Sequence, residues 1–360
     1  MNATKYFGRL CAMAVSACIA LGGVAIAGQE DKPNVVIIGT GGTIAGVASK
    51  TTQVVGYEAA KVGVEALIAA VPGIDEIANV SGEQIFQIPS EDMMDSHWLQ
   101  LAGRINELLA EKEVDGIVIT HGSDTLEETA YFLNLVVKSE KPVVLTAGLR
   151  PSSATSADGP MNIYNSILVA GSPESVGKGV LISLNDYIGS ARTTVKTNTF
   201  ALDTFKSTDL GFLGYLAGGQ VFYYNAPVRK HTVHSEFDVS GLRELPKVEI
   251  VYGQANANMV AANAFVKNGA KGLIYAAVGN GTMSRTVKQG MADLRKQGLL
   301  VVRSSHVGTG SVARNGEAND DELDFVVADN LNPQKARILL QLALTKTSDT
   351  KEIQKMFWAY

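Results

Sequence analysis

Cysteine is nearly missing. The 360-residue chain has two, Cys11 and Cys18, both within the first 27 residues. Beyond them no disulfide framework, cysteine nucleophile or cysteine-containing metal site can be built. Long apolar runs are also lacking: after residue 27 no segment reaches eighteen apolar residues, so the rest of the chain is expected to be soluble, with no membrane partner. Positive charge is not in excess, with 31 Lys and Arg against 36 Asp and Glu, a formal net charge of −5 that argues against a nucleic-acid partner. Fixed-period repeats and low-complexity tracts are absent. What is present, 46% apolar and 19% charged residues with 36 Gly and 10 Pro, excludes collagen-like and wholly disordered chains. The length suits roughly two domains of about 150 residues each.

Residues 1–27 read as a secretory signal peptide. Lys5 and Arg9 precede an apolar stretch ending in Ala25, Ile26 and Ala27, and Gln29, Glu30 and Asp31 follow directly. Cleavage after Ala27 removes both cysteines, two basic residues and no acid, which takes the formal charge from −5 to −7.

Short Val- and Ile-rich runs alternate with amphipathic stretches, the pattern of βα units around a mostly parallel sheet. Val35–Ile38, Ile117–Ile119, Val143–Leu145 and Val180–Ser183 belong to a first part; Val248–Val251, Leu273–Ala277 and Leu299–Val302 belong to a second. The expected organisation is an N-terminal α/β domain over 28–225, a linker over 226–246 and a smaller C-terminal α/β domain over 247–360. Trp98, Leu101, Ile105 and Leu108 make one helical core stripe, and Leu126, Ala130, Leu133 and Val137 another. Asn332 and Pro333 read as the cap and first residue of a terminal helix through Leu344.

Directly after the first strand comes Gly39-Thr40-Gly41-Gly42-Thr43. Ile44 stands where a dinucleotide fingerprint needs its third glycine, and no Gly-Lys-Ser/Thr follows, so nicotinamide and Walker-loop readings both fail. What remains is a hydroxyl, on Thr40 or Thr43, at the carboxyl end of a strand, where open α/β sheets place their ligands. Thr120-His121-Gly122-Ser123-Asp124-Thr125 occupies the same position after the Ile117–Ile119 strand, with Ser123 or Asp124 also suited to cap the helix near Leu126. Gly-x-Ser-x-Gly and His-Glu-x-x-His occur nowhere. His231 and His234 are expected at a surface or interface rather than on a metal, and no cofactor or metal is expected. A base for a hydroxyl nucleophile must then be sought among lysines and carboxylates.

These residues resemble the bacterial type II L-asparaginases, in their glutaminase-asparaginase branch. The resemblance is carried by Thr40 to Gly46 and by His121 to Glu128. Further matches are Lys61 to Val64, Arg150-Pro151 with Ser156 to Gly159, Lys196 to Thr199, and Leu331 to Arg337. It implies a two-domain α/β fold with a larger, mostly parallel N-terminal sheet flanked by helices. It implies hydrolysis of L-asparagine and L-glutamine with release of ammonia, in the periplasm, by a homotetramer arranged as a dimer of dimers. Thr43 would be the nucleophile and Tyr57 its hydroxyl neighbour, on a loop whose 47–56 stretch could close as a lid. Ser123, Asp124 and Lys196 would form a hydroxyl–carboxylate–ammonium set. Ser90 and Glu91 would hold the substrate's α-carboxylate and α-amino groups, Asp124 also reaching the latter, while Asn256 and Glu317 would complete a neighbouring subunit's pocket.

Two departures stand out. Ser123 replaces the threonine usual in the second signature, keeping the hydroxyl but losing a methyl that restricts χ1. Glu91 stands where the more asparagine-selective enzymes usually have Gln, so both amides are expected as substrates. The competing reading of an exported α/β chain is a periplasmic amino-acid binding protein without turnover.

Overall fold

The computed structural model describes residues 32–360; the signal-peptide reading of residues 1–27 lies outside the described residues. Fourteen strands are described. They are β1 (Asn34–Gly41), β2 (Asn79–Ile88), β3 (Gly116–Thr120), β4 (Val143–Thr146), β5 (Val180–Leu184), β6 (Tyr187–Ser190), β7 (Val195–Lys196), β8 (Phe205–Lys206), β9 (Gly214–Ala217), β10 (Gln220–Tyr223), β11 (Val248–Tyr252), β12 (Gly272–Ala277), β13 (Leu300–Ser305) and β14 (Val326–Val327).

The large sheet runs β10-β9-β6-β5-β4-β3-β1-β2. β2, β1, β3, β4 and β5 are parallel, and β6, β9 and β10 continue the sheet antiparallel. A smaller, wholly parallel sheet β11-β12-β13-β14 follows, and β7 pairs only with β8. The expected two-part α/β architecture is therefore present, and every apolar run read from the sequence falls on a strand, except that β13 starts at Leu300, one residue into the run Leu299–Val302.

β1 has β2 on one side and β3 on the other, so the chain reverses its direction of sheet growth there. Such a switch point opens a crevice beyond the carboxyl ends of the strands. Buried Val, Ile and Leu alternate across the central strands because both sheet faces are covered. Ile38, Ile119 and Leu145 face the helices Asp95–Ala110 and Leu126–Val136, while Ile37, Val118 and Val144 face Gly159–Gly171. The first of these cores continues without a break into Ile274, Val302, Leu339 and Phe357. At roughly 1.5–3 kcal/mol per buried large apolar side chain, this shared core ties the two sheets together. Residues 226–246 join it through Phe237, Val239 and Leu245.

Several details differ from expectation. The helix Pro333–Leu344 is capped by Asn332, whose side chain accepts from the Lys335 amide, but it is not terminal: Thr350–Ala359 follows, capped by Asp349. Neither Ser123 nor Asp124 caps the helix Leu126–Val136; Thr125 holds that position, and its side chain does not bond to the helix amides. His231 is buried, and burial lowers its pKa, with His234 adding to the effect. Among the described residues no helix is long and apolar enough to cross a membrane.

Candidate active site

Three strand ends meet at the switch point through glycine. Gly41 and Gly42 have φ of 109° and 80°, a left-handed region that L side chains rarely adopt. A Cβ on Gly42 would lie 2.2 Å from the Gly122 Cα, and one on Gly122 would lie 2.6 Å from the Ser90 Oγ. The loops after β1 and β3 are thus in backbone-to-backbone contact, and the Ser90 side chain after β2 lies directly against Gly122, a closeness only glycine permits.

The two candidate threonines separate cleanly. Thr40 is 1% exposed, and its hydroxyl donates to the Thr120 carbonyl at 2.9 Å, which locks β1 to β3. Thr43, in the turn Thr43–Ala45, shares a 2.7 Å hydrogen bond with the Tyr57 hydroxyl. Tyr57 is placed by a β-bridge between Val47 and Glu58 that closes the base of its loop. The same loop is stitched outward: Ser152 N donates to Gly46 O, Ala48 N to Ser153 Oγ, and Thr155 N to Thr51 O. Asp158 holds that second segment by accepting from the Leu149 and Arg150 amides, which gives the Arg150–Gly159 motif its structural role.

Across the crevice, Ser123 is 5% exposed. Lys196, brought in on β7, donates from Nζ to Ser123 Oγ at 2.8 Å and to Asp124 Oδ1 at 2.7 Å. The lysine side chain is 15% exposed and that of Asp124 is 63% exposed, so the pair grades from interior to solvent. Ser90 is buried beneath them, its Oγ accepting from Asp124 N at 3.2 Å and its carbonyl from Thr125 Oγ1 at 2.8 Å. Glu91 is exposed in the same turn, Ser90–Asp92.

Thr43, Tyr57, Ser90, Ser123, Asp124 and Lys196 are thereby gathered on interlocked loops. Asn256 and Glu317 lie on the C-terminal half, both exposed, and neither hydrogen-bonds to any of those six within the chain. Glu317 sits on a segment anchored from below, where the fully buried Arg303 pairs with Asp320 at 2.6 Å and donates to Gly281 O and Ala313 O. Removing one partner of such a pair costs about 3–5 kcal/mol.

Sequence reasoning passed over the support beneath the β3 loop. Trp98 Nε1 donates to Thr129 Oγ1 at 2.8 Å, Thr129 reaches His121 Nε2 at 3.0 Å, and His121 Nδ1 reaches Gly122 O at 2.7 Å. An indole N–H only donates and a carbonyl only accepts, so the chain has one consistent direction: Thr129 donates to Nε2, and Nδ1 carries the proton. Full burial pushes His121 down to about 4, which keeps the ring neutral. It also passed over Glu127, a buried acid within the signature His121 to Glu128. The available signal was its place among the polar residues of His121 to Glu128, on a helix otherwise almost wholly buried.

The family model for "Asparaginase, N-terminal" matches residues 34–229, and that for the "Glutaminase/Asparaginase C-terminal domain" matches 247–357. The chain belongs to the asparaginase family. It is 51% identical over 328 residues to the glutaminase-asparaginase of Pseudomonas fluorescens biotype A, covering 91% of this chain and 90% of that one. It is 52% identical over 332 residues to L-asparaginase 2 of Bacillus subtilis, covering 92% and 88%. Among solved structures, the probable cytoplasmic L-asparaginase of Campylobacter jejuni superposes with a TM-score of 0.89 at 49% identity, covering 91% of this chain and all of that one. Family membership gives the two-sheet architecture its context and makes hydrolysis of a carboxamide the chemistry to test against the crevice.

Proposed function

We propose that the chain is an exported amidohydrolase that converts L-asparagine to L-aspartate and L-glutamine to L-glutamate, releasing ammonia through a Thr43 acyl-enzyme. The observation that carries this reading is the pairing of Thr43 with Tyr57 on one side of the crevice, opposite the Ser123–Lys196–Asp124 set.

Thr43 Oγ1 bonds to the side-chain carbonyl carbon, and its proton passes to the Tyr57 oxygen. The Tyr57 proton in turn goes to the amide nitrogen. The C–N bond breaks, ammonia leaves, and a threonyl ester remains. Water then adds to the ester, the acid departs, and Thr43 regains its proton. Gly122 and Ser123 amides face the developing oxyanion, where each well-placed donor contributes on the order of 3 kcal/mol. Lys196, through Ser123, orients and polarises the attacking water of the second step. A positioned proton-transfer group contributes about a hundred- to ten-thousand-fold.

Free amino-acid substrates carry two charges that must be matched on binding. Glu91 and Asp124 meet the ammonium, and Ser90 with neighbouring amides meets the carboxylate. The 47–56 stretch serves as the lid that brings Tyr57 to Thr43. Asn256 and Glu317, exposed on the C-terminal half, complete the pocket of a neighbouring subunit in a homotetramer. Export rests on residues 1–27; because one solved relative is called cytoplasmic, the compartment follows from the leader rather than from the family.

Ammonia release from both amides, abolished in Thr43→Ala with an unchanged circular-dichroism spectrum, is the expected result. An unaffected rate in that variant overturns the mechanism. Stoichiometric binding of intact L-asparagine without ammonia would instead support the binding-protein reading. Intact mass of the exported protein, expected to begin at Gly28, tests the leader, and sedimentation equilibrium tests the tetramer.

A further inference from the structure

The motif Leu331 to Arg337 has no part in the reaction just described, yet its first turn lies against the segment that carries Lys196. Asn332 Nδ2 donates to Glu127 Oε1 at 3.0 Å, and the other oxygen of that carboxylate, Oε2, accepts from the Lys196 backbone amide at 2.9 Å. Lys335, one turn further on, donates from Nζ to the carbonyls of Arg192 at 3.1 Å and Thr194 at 2.7 Å, just before Lys196. Glu127 is 7% exposed and Lys335 1% exposed.

We infer that Glu127, held by the first turn of the helix Pro333–Leu344, is the residue that positions Lys196 for its contacts with Ser123 and Asp124. The inference rests on the reading of Lys196 as part of the catalytic machinery. β7 is two residues long and pairs only with β8, so its own ladder defines the Lys196 backbone poorly. The bonds from Glu127 and Lys335 supply what the ladder lacks. A displacement of that backbone is carried along the side chain to Nζ, which must reach two oxygens at once.

A carboxylate is required because both of its partners are donors. A backbone N–H can only donate. The Asn332 amide cannot turn round to offer its oxygen, because Oδ1 already accepts from the Lys335 amide at 3.0 Å. Glutamine at position 127 has one acceptor oxygen, so one of the two contacts becomes donor against donor. The buried charge is balanced by Lys335: burial pushes that ammonium down to about 8, while the Glu127 charge acts in the opposite direction.

The test is steady-state kinetics of the full chain with L-asparagine for Glu127→Gln, Lys196→Ala, the double variant and Asn332→Ser. Glu127→Gln is expected to lower kcat about 10- to 100-fold, the scale of a misplacement near 1 Å, with KM within about threefold. Asn332→Ser keeps a helix cap but removes the donor to Oε1, and a smaller fall in kcat is expected. In the Lys196→Ala background, Glu127→Gln should add no further loss, because its effect passes through the missing amine. Losses that multiply in the double variant, or an unchanged kcat in Glu127→Gln, overturn the inference while leaving the mechanism standing. Full activity in Lys196→Ala overturns both. If Glu127→Gln does not fold, the same cycle with Asn332→Ser and Lys196→Ala decides the matter in the same way.

Discussion

The two walls of the crevice hold their hydroxyls in opposite ways. On the β1 side, Thr43 is met by Tyr57, fourteen residues away, through a neutral bond within one loop. On the β3 side, Ser123 is met by Lys196, seventy-three residues away, through a charged group delivered by a two-residue strand. The first wall depends on local turn geometry and the second on tertiary assembly. A lesion in the first should therefore stay local, whereas lesions in the second should spread along the chain of supports behind it.

The sharpest way to break this contrast is Lys196→Ala. It removes the charge from the assembled wall, and kcat should fall about a hundred- to ten-thousand-fold with the fold retained. A fall of less than tenfold would show that the second wall does little. Tyr57→Phe removes one hydroxyl from the local wall; a loss of about 10- to 100-fold in kcat is expected, with an unchanged melting temperature.

Acid should expose the supports of the assembled wall. His121 titrates at about 4 in the folded chain against 6.5 for the unperturbed group, so the unfolded state binds more protons between those values. The stability conferred by the neutral ring is complete above pH 6.5 and is lost as pH falls through 4, amounting to on the order of 3 kcal/mol. Urea unfolding from pH 7 to pH 4 should show this slope in the wild type and a shallower one in His121→Gln. Equal slopes would remove His121 as the cause. The smallest effect is expected for Ser123→Thr, which adds a methyl and narrows χ1 but keeps the hydroxyl: activity should stay within about threefold. Loss of turnover there would mean that the serine is not a simple substitute.

The same contrast explains what the sequence made legible. The buried parallel strands of four or more residues were readable because each is a continuous apolar run, and the two hydroxyl loops because each follows such a run; the two-residue β14 was too short to read. β2 was not readable: it is the edge strand, and Ser81, Gly82, Glu83 and Gln84 interrupt its pattern. β6, β9 and β10 are four residues each, too short for an alternation to stand out. At the site, Thr40 and Thr43 were indistinguishable by position and residue type alone; the family resemblance pointed to Thr43, and the bond from Thr40 to Thr120 O shows the other hydroxyl engaged within the sheet. Lys196 could be named only through a family resemblance, since no local pattern distinguishes it from a solvated lysine. Glu127 was hidden because its partners, Lys196 and Asn332, lie 69 and 205 residues away.

That last separation bears on biosynthesis. The carboxylate of Glu127 acquires its second partner only after the ribosome has passed Asn332, 205 residues beyond Glu127 itself. A nascent chain arrested before that codon would have both hydroxyl loops in hand but no anchored ammonium between them. Synthesis thus leaves completion of the β3 wall to an event long after both loops have been made, and a fragment released before Asn332 would be left without it.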